Sequence, residues 1–184
     1  MKQILIPIAN GTEEIEAVTL IDVLRRAKLV VTTASVGSEL TIEGANGISI
    51  VADRSIENCH VDDFDMILLP GGWGGTDVFS ESETLQTMLK TMNEKNKTIG
   101  AICAAPYALH TAGVLSDRFT CYPSVEEKIR LNGYESNQKV IEDGNIITSR
   151  GPGTAMCLAL YLVKKFAGEE TYEALRAGLL ADFC

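Results

Sequence analysis

The sequence contains few histidines and no paired-cysteine motif. Its 184 residues include two histidines, His60 and His110, and five cysteines without CxxC or CxxH spacing. The cysteines are Cys59, Cys103, Cys121, Cys157 and Cys184. An odd number of cysteines without a motif argues against a zinc site and against a disulfide framework. We therefore expect no metal, reduced thiols in a reducing compartment, and Cys157 as a core residue within its apolar helical pattern.

The sequence also lacks basic clusters and long apolar runs. Asp and Glu number 25 against 16 Lys and Arg, which gives a formal net charge of -9. This charge repels a phosphate backbone, so nucleic acid is not an expected partner. No run approaches the roughly 20 apolar residues of a membrane span, and the apolar run at residues 4–8 is too short for a secretion signal. These absences favour a cytoplasmic protein without a membrane partner.

Short strand-like runs alternate with helix-like segments along the chain. The predicted strands lie at residues 4–8, 30–36, 66–69, 98–102 and 146–148. The predicted helices lie at residues 12–27, 83–95, 104–112, 124–131, 151–166 and 170–180. This alternation predicts one domain over residues 1–184 with a doubly wound, mainly parallel α/β sheet, and residues 39–51 predict a small hairpin.

Cys103 is a candidate nucleophile at the end of the predicted strand over residues 98–102. In open α/β sheets, ligands bind beyond the carboxyl ends of the strands, and helix-forming residues begin directly after Cys103. The N–H groups at a helix N-terminus lower the pKa of a thiol and make it more nucleophilic. Small neighbours at positions 100, 101, 104 and 105 indicate a crowded turn. A small buried core residue is the alternative interpretation of Cys103.

Glu16 is the predicted acid–base partner of Cys103, because neither histidine is placed to pair with the thiol. His110 lies two helical turns beyond Cys103, and His60 lies in a loop towards the opposite edge of the sheet. At about 100° per residue, Glu16 falls on the apolar face of the first helix. Burial raises the pKa of a carboxyl and keeps it protonated, so it can donate a hydrogen bond to a thiolate. The alternative role of Glu16 is to complement the helix dipole with its negative charge. This role is sufficient to explain the two neighbouring glutamates at positions 13 and 14.

Two glycine-rich turns follow other predicted strands. The turn PGGWGG at residues 70–75 matches neither the P-loop nor the dinucleotide-binding fingerprint, so no cofactor is expected. Glycines there let backbone N–H groups approach a bound oxygen, as an oxyanion site requires, and a flexible turn is the alternative. The turn SRGPGT at residues 149–154 is a strand-to-helix junction, and its Gly and Pro residues are common near the start of a helix.

Four motifs in one order resemble the ThiJ/PfpI family. They are NGTEEIEAVTLIDVLRRA, DMILLPGG, GAICAAP and ITSRGPGT, and they span nearly the whole chain. The resemblance is to the branch that contains the human Parkinson's-disease-linked protein and its bacterial relatives. It implies a flavodoxin-like fold related to class I glutamine amidotransferase domains, with Cys103 as the nucleophile and Glu16 as its hydrogen-bonding carboxyl. It also implies an oxyanion site lined by the backbone N–H groups of Gly72 and Ala104, and a homodimer.

The resemblance implies an enzymatic function and a non-enzymatic alternative. The enzymatic one is glyoxalase III-type conversion of methylglyoxal to lactate, or deglycation of methylglyoxal adducts on proteins, without a cofactor. The alternative is an oxidative-stress sensor or chaperone that acts through oxidation of Cys103. The branch is also named for thiazole monophosphate biosynthesis. The sequence contains no nucleotide or thiamine-phosphate motif that would support this role.

Three positions depart from the family's pattern. Ala104 stands where protease-labelled relatives have a histidine after the nucleophile, so proteolysis is not expected. Tyr122 stands where some members have a histidine before the proline, and Asn46 where some have an arginine that helps bind anions. Any acid–base chemistry is therefore expected to depend on Glu16 or on water.

Overall fold

The computed structural model describes residues 1–184 and consists of nine strands and seven α-helices. The strands are β1 (Gln3–Ile8), β2 (Val30–Ser35), β3 (Thr41–Glu43), β4 (Ser49–Val51), β5 (Arg54–Ser55), β6 (Met66–Leu69), β7 (Thr98–Ile102), β8 (Val140–Asp143) and β9 (Ile146–Ser149). The helices are α1 (Glu14–Arg26), α2 (Trp73–Glu81), α3 (Glu83–Glu94), α4 (Pro106–Thr111), α5 (Glu126–Ile129), α6 (Ala155–Ala167) and α7 (Glu169–Gly178). None of these helices combines the length and the apolar character needed to cross a bilayer.

Seven strands form one sheet in the order β5-β2-β1-β6-β7-β9-β8. All neighbours are parallel except β8, which pairs antiparallel with β9 at one edge. Every residue of β6 is buried, as are all but the first residues of β1 and β7. Strands buried on both faces need helices on both sides, which explains their continuous apolar sequence. The doubly wound, flavodoxin-like α/β fold predicted from the sequence is confirmed.

Two apolar cores lie on the two faces of this sheet. One contains side chains of α1 and α6, including Leu20, Leu24 and Leu158. The other contains side chains of α2, α3 and α4, including Phe79 and Leu89. The helices therefore fix the carboxyl ends of the central strands from both sides, and the turns that follow those strands meet at one edge.

The hairpin predicted at residues 39–51 is confirmed as the antiparallel pair β3–β4. Its turn is held by Glu14 of α1, whose carboxyl accepts hydrogen bonds from Asn46 N (2.6 Å), Asn46 Nδ2 (3.0 Å) and Ile48 N (3.3 Å). From the sequence, the only role predicted for this carboxylate was to complement the helix dipole, and that prediction was incomplete. Glu14 anchors the hairpin to α1, and Asn46 is committed to this contact.

Helix α2 was missed, because its glycines indicated a turn. Gly72 precedes the helix with a φ of 87°, and Gly74 and Gly75 lie inside it. A Cβ at Gly75 would come within 2.6 Å of Thr12 Oγ1, and one at Gly74 within 3.0 Å of Gly11 Cα. These glycines therefore permit close packing of α2 against the turn after β1, and the interpretation of a flexible turn was wrong. The edge strands β5 and β8 were missed as well.

Cys157 and Cys184 form a disulfide, which corrects the prediction that all thiols are reduced. Their Cα atoms are 5.0 Å apart, although 27 positions separate them in sequence. Cys157 lies in the first turn of α6, and α7 packs against α6 and returns the chain to that turn. No local spacing motif could indicate a bridge that depends on this packing. Cys59, Cys103 and Cys121 are free.

Replacing Cys184 by serine is expected to lower the free energy of unfolding by about 2–4 kcal/mol. The bridge closes a loop between positions 27 residues apart, which restricts the unfolded chain. Chemical denaturation of the wild type and Cys184→Ser without reductant measures the difference. Wild type with reductant is the control and should match the variant, whereas equal stability of oxidised and reduced wild type would contradict the prediction.

Candidate active site

Cys103 lies directly after β7 in a strained backbone conformation. Its φ is 64°, in the left-handed region that residues other than glycine rarely adopt. Its N–H donates to Ser149 O at 3.0 Å and its carbonyl accepts from Tyr122 N at 2.9 Å. A Cβ at Gly100 would come within 2.6 Å of two core side chains. The small neighbours thus make room for a tight turn, as predicted, and two hydrogen bonds hold the thiol in place.

Helix α4 begins at Pro106 and has six residues, so the predicted start at residue 104 was wrong. The left-handed conformation of Cys103 interrupts the helical path, and helical dihedral angles return at Ala105. The groups that favour a thiolate are therefore the individual backbone N–H groups of Gly72 and Ala104, both of which act on the sulfur. These are the two groups that the resemblance implied for the oxyanion site.

Glu16 reaches Cys103 from α1 and is fully buried, with 0% of its surface exposed. Its Oε2 accepts a hydrogen bond from Gly71 N at 2.7 Å, and its carboxyl lies beside Cys103, since a Cβ added at Gly71 would come within 2.7 Å of Glu16 Oε2 and 2.6 Å of Cys103 Cβ. Its Oε1 has no partner within the protein. The predicted pairing of Glu16 with Cys103 is thus present, and Gly71 is a third member that the sequence did not indicate.

Burial perturbs the titration of both groups. Burial raises the pKa of the Glu16 carboxyl from 4.5 to about 7, although the hydrogen bonds from Gly71 and Cys103 lower it. Burial and the Glu16 charge raise the pKa of the Cys103 thiol to about 12, against the lowering effect of the two backbone N–H groups. The two groups therefore share one proton between these pH values. This raised pKa is the opposite of the lowering that the sequence predicted, and the Cys103 thiol is acidic only if the shared proton resides on Glu16.

A cavity of about 230 Å³ opens onto the sulfur of Cys103, whose residue is 9% exposed. Its walls include Glu13, Trp73, Tyr122 and Pro152. The sequence did not indicate Trp73 or Glu13 as cavity residues, because they meet only when α1, α2 and the turn after β9 come together. Four larger cavities, of about 500, 460, 340 and 260 Å³, do not have Cys103 in their walls.

Two side chains that do not line this cavity contact the ring of Trp73 and hold it in place. Lys128 Nζ lies 4.8 Å from the centre of the Trp73 ring, and Tyr107 contacts the same ring edge-on with centroids 6.0 Å apart. His110 packs beside Tyr107, and neither histidine of the chain lines the cavity. The expectation that no histidine pairs with Cys103 is therefore confirmed.

The chemistry of the cavity rests on a thiol, a carboxyl and two amide N–H groups. No group of three or more His, Cys, Asp or Glu side chains in the structure is arranged to hold a metal ion. The arrangement can add a sulfur to an electrophilic carbon, hold the resulting oxygen and move protons through a carboxyl with a pKa near neutrality.

Replacing Gly71 by alanine is expected to lower the free energy of unfolding by about 1–3 kcal/mol, the typical cost of leaving a buried hydrogen-bonding group without its partner. The added Cβ would come within 2.6 Å of Cys103 Cβ and 2.7 Å of Glu16 Oε2, so the pair must separate. Chemical denaturation measures the loss. Gly153→Ala is the control, because nothing lies within 4 Å of its added Cβ. Equal stability of the two variants would contradict this prediction.

Comparison with known proteins places these features in a family. The profile of the DJ-1/PfpI family matches residues 2–165. Protein DJ-1 homolog B of Arabidopsis thaliana is 44% identical over 170 residues, which cover 91% of this chain and 39% of that protein. The chain thus spans less than half the length of this relative.

Two further relatives match over nearly their full length. The crystal structure of Drosophila melanogaster DJ-1beta superimposes with a TM-score of 0.93 at 38% identity, covering 97% of each chain. The Caenorhabditis elegans protein named glutathione-independent glyoxalase DJR-1.2 is 36% identical over 173 residues, which cover 94% of this chain and 91% of that protein.

Proposed function

Because this chain belongs to the DJ-1/PfpI family, we propose that it is a cysteine-dependent enzyme that acts on small α-oxoaldehydes such as methylglyoxal. The reaction is of the glyoxalase III type and needs no cofactor, and methylglyoxal adducts on proteins are a second substrate class. The domain that carries it spans residues 1–184, and its place of action is the cytoplasm. A relative named as a glutathione-independent glyoxalase supports this choice.

The observation that carries the proposal is that the strained Cys103 lines a small cavity and lies beside the buried Glu16. A volume of about 230 Å³ suits a substrate of a few heavy atoms. A carboxyl with a pKa of about 7 populates both its acid and its base form at neutral pH, which suits repeated proton transfer. Ala104 follows the nucleophile in place of a histidine, which speaks against proteolysis.

In the proposed mechanism, the Cys103 thiolate first adds to the aldehyde carbon of methylglyoxal. The carbonyl oxygen takes up the charge, is held by the N–H groups of Gly72 and Ala104, and accepts a proton to give a hemithioacetal. Glu16 then removes the proton from this carbon and delivers a proton to the neighbouring carbonyl carbon by way of an enediol. The first carbon is thereby oxidised to a thioester and the second reduced to an alcohol, so no external oxidant is needed.

Water completes the proposed reaction. It adds to the thioester carbon, the carbon–sulfur bond breaks with Cys103 leaving as a thiolate, and lactic acid departs as lactate and a proton. The sum is one methylglyoxal and one water converted to one lactate. The pair of Glu16 and Cys103 returns to its starting protonation state, as a catalytic cycle requires.

Incubation of the purified protein with methylglyoxal, without added thiol, tests the proposed function. We expect one lactate to form for each methylglyoxal consumed, measured by chromatography of both compounds over time. Consumption of methylglyoxal without lactate would mean simple adduct formation on protein side chains, and would overturn the glyoxalase assignment.

The same site also suits the non-enzymatic alternative, a sensor of peroxides. Two molecules of peroxide would convert the Cys103 thiol to a sulfinic acid and be reduced to two molecules of water. A protonated Glu16 and the two N–H groups would then hydrogen-bond the sulfinate oxygens. Mass spectrometry after peroxide titration separates the alternatives, because a sensor without turnover gains two oxygens at Cys103 and forms no lactate from methylglyoxal.

A homodimer is the expected assembly, as the resemblance implies. Helix α1 exposes Ile15 (59%) and Val18 (50%), and Ile48 and Val51 of the adjacent hairpin region are exposed as well. Neighbouring exposed apolar side chains are typical of a protein–protein contact. Light scattering at micromolar concentration should give about twice the monomer mass, and Val18→Glu should shift it towards the monomer. A monomeric wild type would contradict the prediction.

A further inference from the structure

The disulfide between Cys157 and Cys184 borders a cavity separate from the Cys103 site. This cavity has a volume of about 460 Å³, and its walls include Lys139 and Tyr172 as well as both bridged cysteines. None of its lining residues lines the cavity at Cys103. The bridge is thus accessible from a space large enough for a small molecule, and the proposed catalysis does not use it.

The two bridged cysteines differ in their access to solvent. Cys157, on α6, is only 6% exposed, whereas Cys184 is exposed. Thiol–disulfide exchange requires a thiolate to approach the sulfur that it attacks. Cys184 is thus the more open of the two residues, so attack by a thiolate from solution is expected at its sulfur.

The position of Cys157 in α6 also favours attack on Cys184 with Cys157 as the leaving group. It is the third residue of this 13-residue helix, so it lies in the first turn, at the positive end of the helix dipole. Such a position stabilises a thiolate. A more stable thiolate is the better leaving group, so attack on Cys184 with departure of Cys157 is favoured on both grounds.

From these observations we propose that Cys157 and Cys184 form a second redox site, at which low-molecular-weight thiols and disulfides exchange through Cys184. In the reducing direction, a thiolate attacks the sulfur of Cys184. A bond forms between these sulfurs, the Cys157–Cys184 bond breaks, and Cys157 leaves as a thiolate that takes a proton. A second thiolate attacks the sulfur of the attached small thiol, releases the small disulfide and leaves Cys184 as a thiolate that takes a proton. Two small thiols thus supply the two electrons and two protons.

In the oxidising direction, the small disulfide supplies the oxidising equivalents. One of the two reduced cysteines, Cys184, attacks it, acquires one of its halves and releases the other as a thiol. Cys157 then attacks the sulfur of Cys184, releases the second small thiol and restores the bridge. Cys184 is therefore a site of reversible thiolation, and Cys157 is the residue that resolves the adduct.

Trapping the mixed disulfide tests this proposal on the full-length chain. The protein is reduced with a dithiol, freed of reductant and mixed under native conditions with oxidised glutathione as the probe. Samples are quenched with acid and the modified cysteines are located by peptide mapping. We expect the wild type to return to the Cys157–Cys184 bridge with only a transient adduct on Cys184. Cys157→Ala should keep that adduct, because nothing resolves it.

Three outcomes would overturn the proposal. They are first modification of Cys157 in the wild type, absence of an adduct on Cys184 in a folded Cys157→Ala variant, and failure of the reduced wild type to re-form the bridge. Circular dichroism establishes that the variant is folded. If it is not, Cys157→Ser and the early time points of the wild type decide the order of modification. Mapping of Cys103 in the same digests keeps oxidation at the other site separate.

Discussion

Replacing Cys103 by serine is expected to lower methylglyoxal turnover by about 10³-fold or more, the size of effect seen when a catalytic nucleophile is removed. Serine has nearly the shape of cysteine, so the strained turn and its hydrogen bonds should persist. Its hydroxyl is a far weaker acid than a thiol, and a carboxyl with a pKa of about 7 cannot deprotonate it. The variant therefore keeps the cavity but lacks the nucleophile.

Lactate formation measured at saturating methylglyoxal gives the size of this effect. Cys59→Ser is the matched control, because Cys59 is also a free thiol but lines a different cavity. Its turnover should equal that of the wild type. Lactate formation by Cys103→Ser at the wild-type rate would remove Cys103 from the mechanism, and would leave the proposed function without its nucleophile.

The strands that position this cysteine were predictable because their signal is local. Strands β1, β6 and β7 are short apolar runs between polar segments, and burial on both faces explains that composition. Since parallel strands end at the same edge, the approach of Glu16 to Cys103 also followed from the sequence. The edge strand β8 was harder, because its half-buried residues carry no comparable pattern.

Features that depend on packing between distant segments could not be predicted. The glycines of α2 suggest a turn in isolation, and only the adjacent turn after β1 shows why they lie in a helix. The Cys157–Cys184 bridge depends on how α7 returns to α6. Gly71 likewise becomes important only when Glu16 and Cys103 are both close to it. In each case the decisive neighbour lies tens of residues away in sequence.

Substitutions of Glu16 are expected to affect the acidity of the Cys103 thiol and the turnover of methylglyoxal differently. The hypothesis is that the proton shared by the pair resides on Glu16, so the charge resides on sulfur. Alkylation of Cys103 in the wild type should then rise through a midpoint near pH 7, the first step of the pair. Glu16→Gln can still donate a hydrogen bond to the thiolate but cannot exchange a proton. It should therefore keep an alkylatable thiol near neutral pH and lose lactate formation.

Glu16→Leu should lose both properties, because leucine has no hydrogen bond to donate. A charge-assisted hydrogen bond is worth roughly 1.5–3 kcal/mol, and at about 1.36 kcal/mol per unit its loss should raise the alkylation midpoint by about one to two units. If the shared proton resides on sulfur instead of on Glu16, the alkylation midpoint should shift in the opposite direction. If the proton resides on sulfur, the wild-type midpoint lies near 12, where the charge of Glu16 contributes to the raised pKa. Removing that charge would then lower the midpoint. A downward shift in Glu16→Leu, measured by iodoacetamide labelling of Cys103 across pH, would therefore place the negative charge of the pair on the carboxylate.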